Sequence, residues 1–419
     1  MIDEQNWARN YRFTARRIHR PGSIDEVRRL VAAARQVRAI GTRHSFNGIA
    51  DSEGDLIDLG GLDPRIEIDR ERSSVTVGAG TAYGTLAARL QAEGYALHNM
   101  GSLPHISVAG ATATGTHGSG DDNGSLSTAV RGLELVTAGG DLVQVARGTA
   151  GFEGMVVGLG AFGIVTRLTL DIQPSFVMQQ DCFVDLPWRA LLEQFEAVSA
   201  AAYSVSVMTK WTGSHAGRLW LKTRLEDGRA RAVTAAHLGA AAAPGGAAVP
   251  AGVGPDEGLT PFGGVPGPWS ERLPHFRHDR GPGVGDQIQS EYMLPRANAA
   301  AALAALRAIG PRIDALLHMT ELRTVAADDL WLSGAYGHPT VAIHFTWKQE
   351  AAAVDALTRE IEAMLLPLGG RPHWGKLIHA PAAQLAPLYP RLAEFRELAR
   401  RRDPDGKFRN RFLGEHVFG

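Results

Sequence analysis

Residues 98–120 read HNMGSLPHISVAGATATGTHGSG, a run of Gly, Ser, Thr and Ala punctuated by three histidines. Side chains this small let a backbone come close to a flat ligand, and their hydroxyls can donate to its polar edges. The competing use of His98, His105 and His117 is a metal site. No Cys, Asp or Glu lies between them, and their spacing matches no standard zinc pattern. A ligand cradle is the better reading. A second small-residue turn, Gly41-Thr42-Arg43-His44-Ser45-Phe46-Asn47, follows the strand-like Arg38-Ala-Ile. Such a turn exposes backbone N–H groups that can hold phosphate oxygens. Alone, His44 reads as a surface loop residue; beside the other cradle it reads as a group aimed at the same ligand.

The rest of the chain alternates short strands and helices without repeated βαβ units. Ser23 and Glu26 form a capping-box pattern at the start of a helix over 23–36, with Val27, Leu30, Val31 and Ala34 on one face. Residues 56–59, 65–69, 75–78, 133–145 and 163–172 read as strands, and Leu86 with Leu90 marks a helix ending at Gly94. Beyond residue 230, strand-like 288–294, 319–325 and 341–347 are separated by helical 297–309 and 351–366, the order of a sheet with helices on one face. Residues 235–253, rich in Ala, Gly and Pro, read as a surface insertion or loose loop. A chain of 419 residues exceeds what one hydrophobic core usually supports, so two domains are expected.

Composition excludes several classes. Lys plus Arg number 43 and Asp plus Glu 44, so no global attraction to nucleic acid or anionic membrane follows. Arg400-Arg401-Arg402 reads as a solvated helix end. The lone Cys182 cannot form an internal disulfide, no signal-peptide order opens the chain, and no apolar run is long enough to span a bilayer. A cytoplasmic address is expected, and a monomer is compatible with everything in the sequence. Gly158-Leu-Gly160-Ala-Phe-Gly163 matches the dinucleotide fingerprint G-x-G-x-x-G, but alternating, β-branched Ile164 to Leu170 follows where a helix is required. An NAD-dependent Rossmann enzyme is thereby disfavoured.

Strands alternate their faces, so Glu321 and Arg323 share one side, as do His344 and Thr346. Leu322, Ile343, Phe345 and Trp347 take the other side and suit packing under helices. A solvated salt bridge on an exposed sheet would leave the same pattern.

Taken together, GTRHSFN at 41–47 and NMGSLPHISVAGATATGTHGSG at 99–120 resemble the FAD-binding domain of vanillyl-alcohol-oxidase-type flavoproteins. Among these the bacterial alditol (xylitol) oxidases are nearest. VPGPW at 265–269, ERLPHFR at 271–277, ELRTVAAD at 321–328, HFTW at 344–347, RPHWGK at 371–376 and DPDGKF at 403–408 extend the likeness over nearly the whole chain. The resemblance implies a two-domain α+β flavoprotein. An FAD-binding domain would cover 1–178 and be completed by 379–419. A substrate-binding cap over 179–378 would pair an antiparallel sheet with helices.

It also implies FAD bonded covalently to His44, which makes the flavin a stronger oxidant. Gly41, Thr42, Arg43, Ser45, Ser102, Ser107, Gly110, Thr114, Gly115, Thr116, His117, Gly118, Ile164 and His373 would surround it. Arg43 departs from relatives that carry a small residue there, which leaves the local phosphate contacts open.

With a flavin domain attached, the polar strand faces become an active-site floor. A polyol offers neutral hydroxyls, which a carboxylate acceptor and a guanidinium donor can read together: Glu321 and Arg323, with Ser102 and Thr346 adding shorter contacts. Lys376 is the candidate to stabilise a developing alkoxide, and His344 a candidate proton acceptor. The expected reaction takes a primary alcohol and O2 to an aldehyde and H2O2, with xylitol or sorbitol as substrate. A flavin-dependent aldonolactone or hydroxy-acid dehydrogenase, and a non-catalytic flavin- or polyol-binding protein, are the alternatives.

Overall fold

The computed structural model describes residues 4–243, 258–281 and 285–419. Strands β1 (Arg17–His19), β2 (Val37–Ile40) and β3 (Asp55–Asp58) form a parallel sheet ordered β1-β3-β2. Next, β4 (Ile66–Asp69) and β5 (Ser74–Gly78) open an antiparallel sheet. The two-residue β6 (Tyr95–Ala96) intervenes, and β7 (Val130–Val136), β8 (Leu142–Ala146) and β9 (Ile164–Asp171) complete that sheet in the order β4-β5-β9-β7-β8. β10 (Gln173–Pro174) closes on β6.

A nine-stranded antiparallel sheet follows. It contains β11 (Val177–Pro187), β12 (Ser204–Thr209), β13 (His215–Leu225), β14 (Ala241–Ala242), β15 (Gly267–Pro268), β16 (Gln287–Pro295), β17 (Leu317–Val325), β18 (Thr340–Lys348) and β19 (Arg371–Pro372). The order is β14-β11-β13-β12-β17-β18-β16-β19, with β15 on β11. One face is apolar: Leu322, Ile343, Phe345 and Trp347 share a core with Leu303, Leu306, Ile313, Val354, Leu357 and Ile361 from the helices Ala299–Ala308, Gly310–Leu316 and Ala351–Leu365. Each buried residue of that size contributes about 1.5–3 kcal/mol through desolvation. Helices therefore cover this face, and the polar face is left for a site.

A separate core joins the first helix and the five-stranded sheet to Phe395, Phe408, Phe412 and Val417 near the C-terminus. Buried Arg38 fastens this union: its guanidinium donates to the carbonyls of Phe408, of Ile49 (2.7 Å) and of Leu159 (2.6 Å). The Gly158–Gly163 turn is thus held by a cation beneath it, and strand β9 follows, as the residues after the glycines require.

Three sequence expectations need correction. The 133–145 strand is a hairpin, because Thr137-Ala-Gly-Gly-Asp141 turns the chain and Gly140 sits at φ +88°. The first helix is Ile24–Ala33; Ser23 caps Glu26 N at 3.2 Å, but the Glu26 side chain reaches back to Gly22 N (2.9 Å), not to Ser23 N. In the 235–253 stretch, Ala235, Leu238 and Ala240 are buried in the core beneath the large sheet, so its first part is packed; residues 244–253 lie outside the described residues. Arg400–Arg402 do close a helix, Leu392–Arg402.

Candidate active site

A cavity of about 810 Å³ is lined by the Gly41–Asn47 turn, the 101–117 cradle and the polar face of the large sheet. At the first of these, β2 delivers the chain into the turn, where Arg43 adopts φ +61° and Trp7 N donates to its carbonyl at 2.8 Å. This kink sets the His44 ring on Trp7, centroids 5.2 Å apart and 24° from parallel. Neither His44 nitrogen, although shielded from solvent, has a hydrogen-bond partner, and neither does Trp7 Nε1. Burial pushes the imidazole down to about pKa 4, with nearby His105 adding to the shift, so it is neutral at pH 7. A neutral, unpartnered imidazole in a cavity wall is free to bond to a ligand.

The cradle supplies close backbone approach. Ser107 Oγ sits between two glycines: a Cβ would meet it at 2.3 Å from Gly41 and 2.8 Å from Gly110. Ser107 N donates to Thr42 Oγ1 (3.3 Å), which ties the two small-residue segments together. Thr114 Oγ1 lies 3.3 Å from Thr116 Oγ1 and donates to Gly110 O at 3.0 Å. The orphaned nitrogens, the glycine-lined wall and the cavity's size suit a large flat cofactor of the flavin class.

Arg43 does not face such a ligand with a free charge, since it pairs with Glu4 and lies 3.9 Å from Asp58. The three histidines of the cradle part company as well: His98 goes to Gly124 O, His105 to Arg280 O, and His117 to Gly118 O.

The polar floor follows from strand register. Glu321 on β17, His344 on β18 and Glu291 on β16 are direct cross-strand neighbours. Met319, Thr346 and Gln289 form the next row. Arg323 pairs with Glu321 and donates to Ser102 Oγ at 2.7 Å. His275 Nε2 lies 2.6 Å from the other Glu321 oxygen. Burial opposes the Glu321 charge, but Arg323 and His275 outweigh it and hold the carboxyl well below its usual range.

Glu291 is held down in the same way by Lys376 and by His117, whose Nε2 is 3.2 Å away. Lys376 bridges Glu291 and His344 Nδ1 (2.6 Å), and His344 Nε2 meets Thr346 Oγ1 at 3.1 Å. Burial and the adjacent ammonium push His344 down to about 4. An ammonium can only donate, so His344 Nδ1 accepts and its single proton sits on Nε2. His373 is pushed to about 3, by burial first and Lys376 second.

Residues 15–146 match the FAD binding domain family, and residues 284–416 match the D-arabinono-1,4-lactone oxidase family. Along the whole chain, the alditol oxidase of a Streptomyces species is 46% identical over 422 residues, covering 99% of both chains. The chain belongs to the alditol oxidase family. The L-gulono-1,4-lactone dehydrogenase of Mycobacterium tuberculosis is 28% identical over 97% of this chain and 96% of its own. A cholesterol oxidase structure from B. sterolicum superposes with TM-score 0.79 at 16% identity, covering 99% of this chain and 96% of its own, and shares the fold. The chain is an α+β flavoprotein with an FAD-binding domain.

Of the residues singled out from sequence, Gly41 to Ser45, Ser102, Ser107, Gly110, Thr114, Thr116, His117 and His373 line the cavity. So do Glu321, Arg323, His344, Thr346 and Lys376. Gly115, Gly118 and Ile164 do not. Gly115 turns the chain at φ +70°, a Cβ on Gly118 would strike Asn99 Oδ1 at 2.4 Å, and Ile164 is buried in β9 opposite Val136. Sequence reasoning passed over Glu291 and Lys222 and gave His275 no role. Glu291 was within reach: Gln287, Gln289 and Glu291 alternate with Ile288 and Tyr292, the pattern that exposed Glu321 and His344. Lys222, inside Leu-Trp-Leu-Lys-Thr, carries no such signal.

Proposed function

We propose that this protein is an FAD-dependent alditol oxidase. It oxidises a primary hydroxyl of a sugar alcohol such as xylitol or sorbitol to the aldehyde and passes the electrons to O2, giving H2O2. In this reading residues 1–178 with 379–419 bind FAD, residues 179–378 bind substrate, and His44 holds FAD covalently. The carrying observation is that one cavity runs from the unpartnered His44 ring to a floor of Glu321, Arg323, Ser102, His344 and Lys376. The 46% identity to an alditol oxidase supports the substrate class.

FAD supplies the hydride acceptor. The chain's own residues do the rest. Glu321 accepts from one hydroxyl of the polyol while Arg323 and Ser102 donate to its neighbour, which fixes the chain of carbons along the floor. Lys376 places positive charge where negative charge grows on the reacting oxygen. Buried Glu291 keeps that ammonium from being lost to burial. His344, neutral at pH 7 and in contact with Lys376, is the group able to relay the departing proton.

The test is acid precipitation of the purified protein, followed by a peroxide assay on native enzyme. A yellow washed pellet, colourless in His44→Ala, with peroxide from xylitol or sorbitol, is the expected result. Acid-stable flavin in His44→Ala removes the bond to that residue. Turnover of an aldonolactone in place of polyols, in line with the lactone-oxidising relatives, would transfer the reading to that class.

A further inference from the structure

A lysine that the proposed chemistry does not use anchors the loop behind the floor. Lys222 on β13 is 1% exposed. Its Nζ donates to the carbonyls of Arg272 (2.8 Å), Leu273 (2.6 Å) and Pro274 (3.1 Å), and stands 3.1 Å from His275 Nδ1. Each of these neighbours acts as an acceptor, which is the environment an ammonium requires. Burial first, and the nearby Arg323 and Arg272 charges after it, pull the lysine's pKa well below its usual value, while the Glu321 charge opposes that pull.

His275 completes the link. Its Nε2 faces Glu321 Oε1 at 2.6 Å. An ionised carboxylate has no proton to give, so the hydrogen between them sits on Nε2. His275 is neutral, pushed to about 4 by burial and by Lys222, and has one N–H only. Its Nδ1 therefore carries the lone pair that meets Lys222. The opposite tautomer would set lone pairs against each other at 2.6 Å. The same segment grips the second polyol contact, because His275 N (3.0 Å) and Phe276 N (3.1 Å) both donate to Ser102 O. Thr260 Oγ1 in turn donates to Pro274 O at 2.8 Å.

We propose that Lys222 and His275 are positioning residues for polyol binding: Lys222, through the carbonyls of residues 272–274, seats the His275 ring, and the His275 Nε2–H fixes the Glu321 carboxylate so that it and Arg323 present an ordered acceptor and donor to adjacent hydroxyls. This rests on the polyol reading above. Without the Nε2 donor, Glu321 keeps only Arg323. The two then neutralise each other instead of facing substrate, and the Glu321 pKa rises.

The experiment compares His275→Asn, whose amide overlays the Nδ1 side, with His275→Gln, whose amide reaches the Nε2 position. Bound flavin and melting temperature are measured first on both holoenzymes. In His275→Asn, KM for xylitol should rise roughly 10- to 100-fold, the cost of an unmet buried acceptor, while kcat stays within about threefold. A new acid limb should appear in its profile, with KM climbing as pH falls through the raised Glu321 pKa. His275→Gln should recover most of the affinity and lack that limb. Lys222→Met should reproduce the His275→Asn behaviour.

Unchanged KM in His275→Asn overturns the proposal. So does a loss that His275→Gln fails to rescue and that follows melting temperature alone. Imidazole 15N spectra of the wild-type holoenzyme give a readout that needs neither substrate nor a stable variant. A proton on His275 Nε2 is expected, and one on Nδ1 overturns the proposal. Wild-type enzyme with the Nε2 tautomer but no polyol binding would instead refute the substrate reading.

Discussion

Lys376 and Arg323 both bring positive charge to the floor, yet their neighbours give them different work. Arg323 is committed to Glu321 and Ser102, so it orients substrate; Lys376 touches Glu291 and His344, the groups that can hold or pass a proton. Lys376→Met should therefore lower kcat by about 10²–10³-fold, the size of losing one charge-stabilising donor, with flavin content unchanged. Stopped-flow reduction of the flavin by xylitol would measure this, and wild-type reduction rates would remove Lys376 from the chemistry. At this scale the sequence was readable where a residue's partner sits two positions away on the same strand, as with Glu321 and Arg323. It was silent where partners lie far apart. Lys222 and Arg272, or His117 and Glu291, meet only through tertiary contacts, and no spacing announces them.

Among the elements, the helix Ala351–Leu365 shows how a buried carboxyl can take its hydrogen bonds from backbone N–H groups. Glu362, 2% exposed, accepts from the N–H groups of His379 and Ala380, and burial still pushes it up to about 7. Its pKa in the folded chain lies above the unfolded value near 4.5. The associated stability is therefore complete below that unfolded value and is lost as pH rises through about 7, by about 3 kcal/mol. Glu362→Gln removes the charge while keeping an acceptor. It should melt a few degrees above wild type at pH 8.5 and level with it at pH 5; equal melting at both would refute the assignment. The amphipathic faces of this helix and of the strands above it were legible, because period and burial agree. The hairpin inside 130–146 was not: Val and Leu flank its turn on both sides, so the two short strands read as one.

Over the whole molecule, titration is dominated by histidines that fold neutral. Burial drives His275, His344 and His379 to about 4 and His373 to about 3. Each folded value lies below the unfolded value near 6.5, so their contribution is full above 6.5 and falls away as pH drops toward 4. Urea midpoints should decline steeply between pH 6.5 and 4.5, and a flat profile there would show that these rings stay solvated. The tie between Arg38 and Phe408, residues 370 apart in sequence, was invisible without coordinates. The register of the large sheet carries a further consequence, for how such a protein can change over generations. Inserting one residue ahead of Glu321 in β17 would put Thr320 and Leu322 where Glu321 and Arg323 now stand, and turn the site inside out. Strand lengths are thereby constrained, while length changes confined to surface turns between strands leave that register intact.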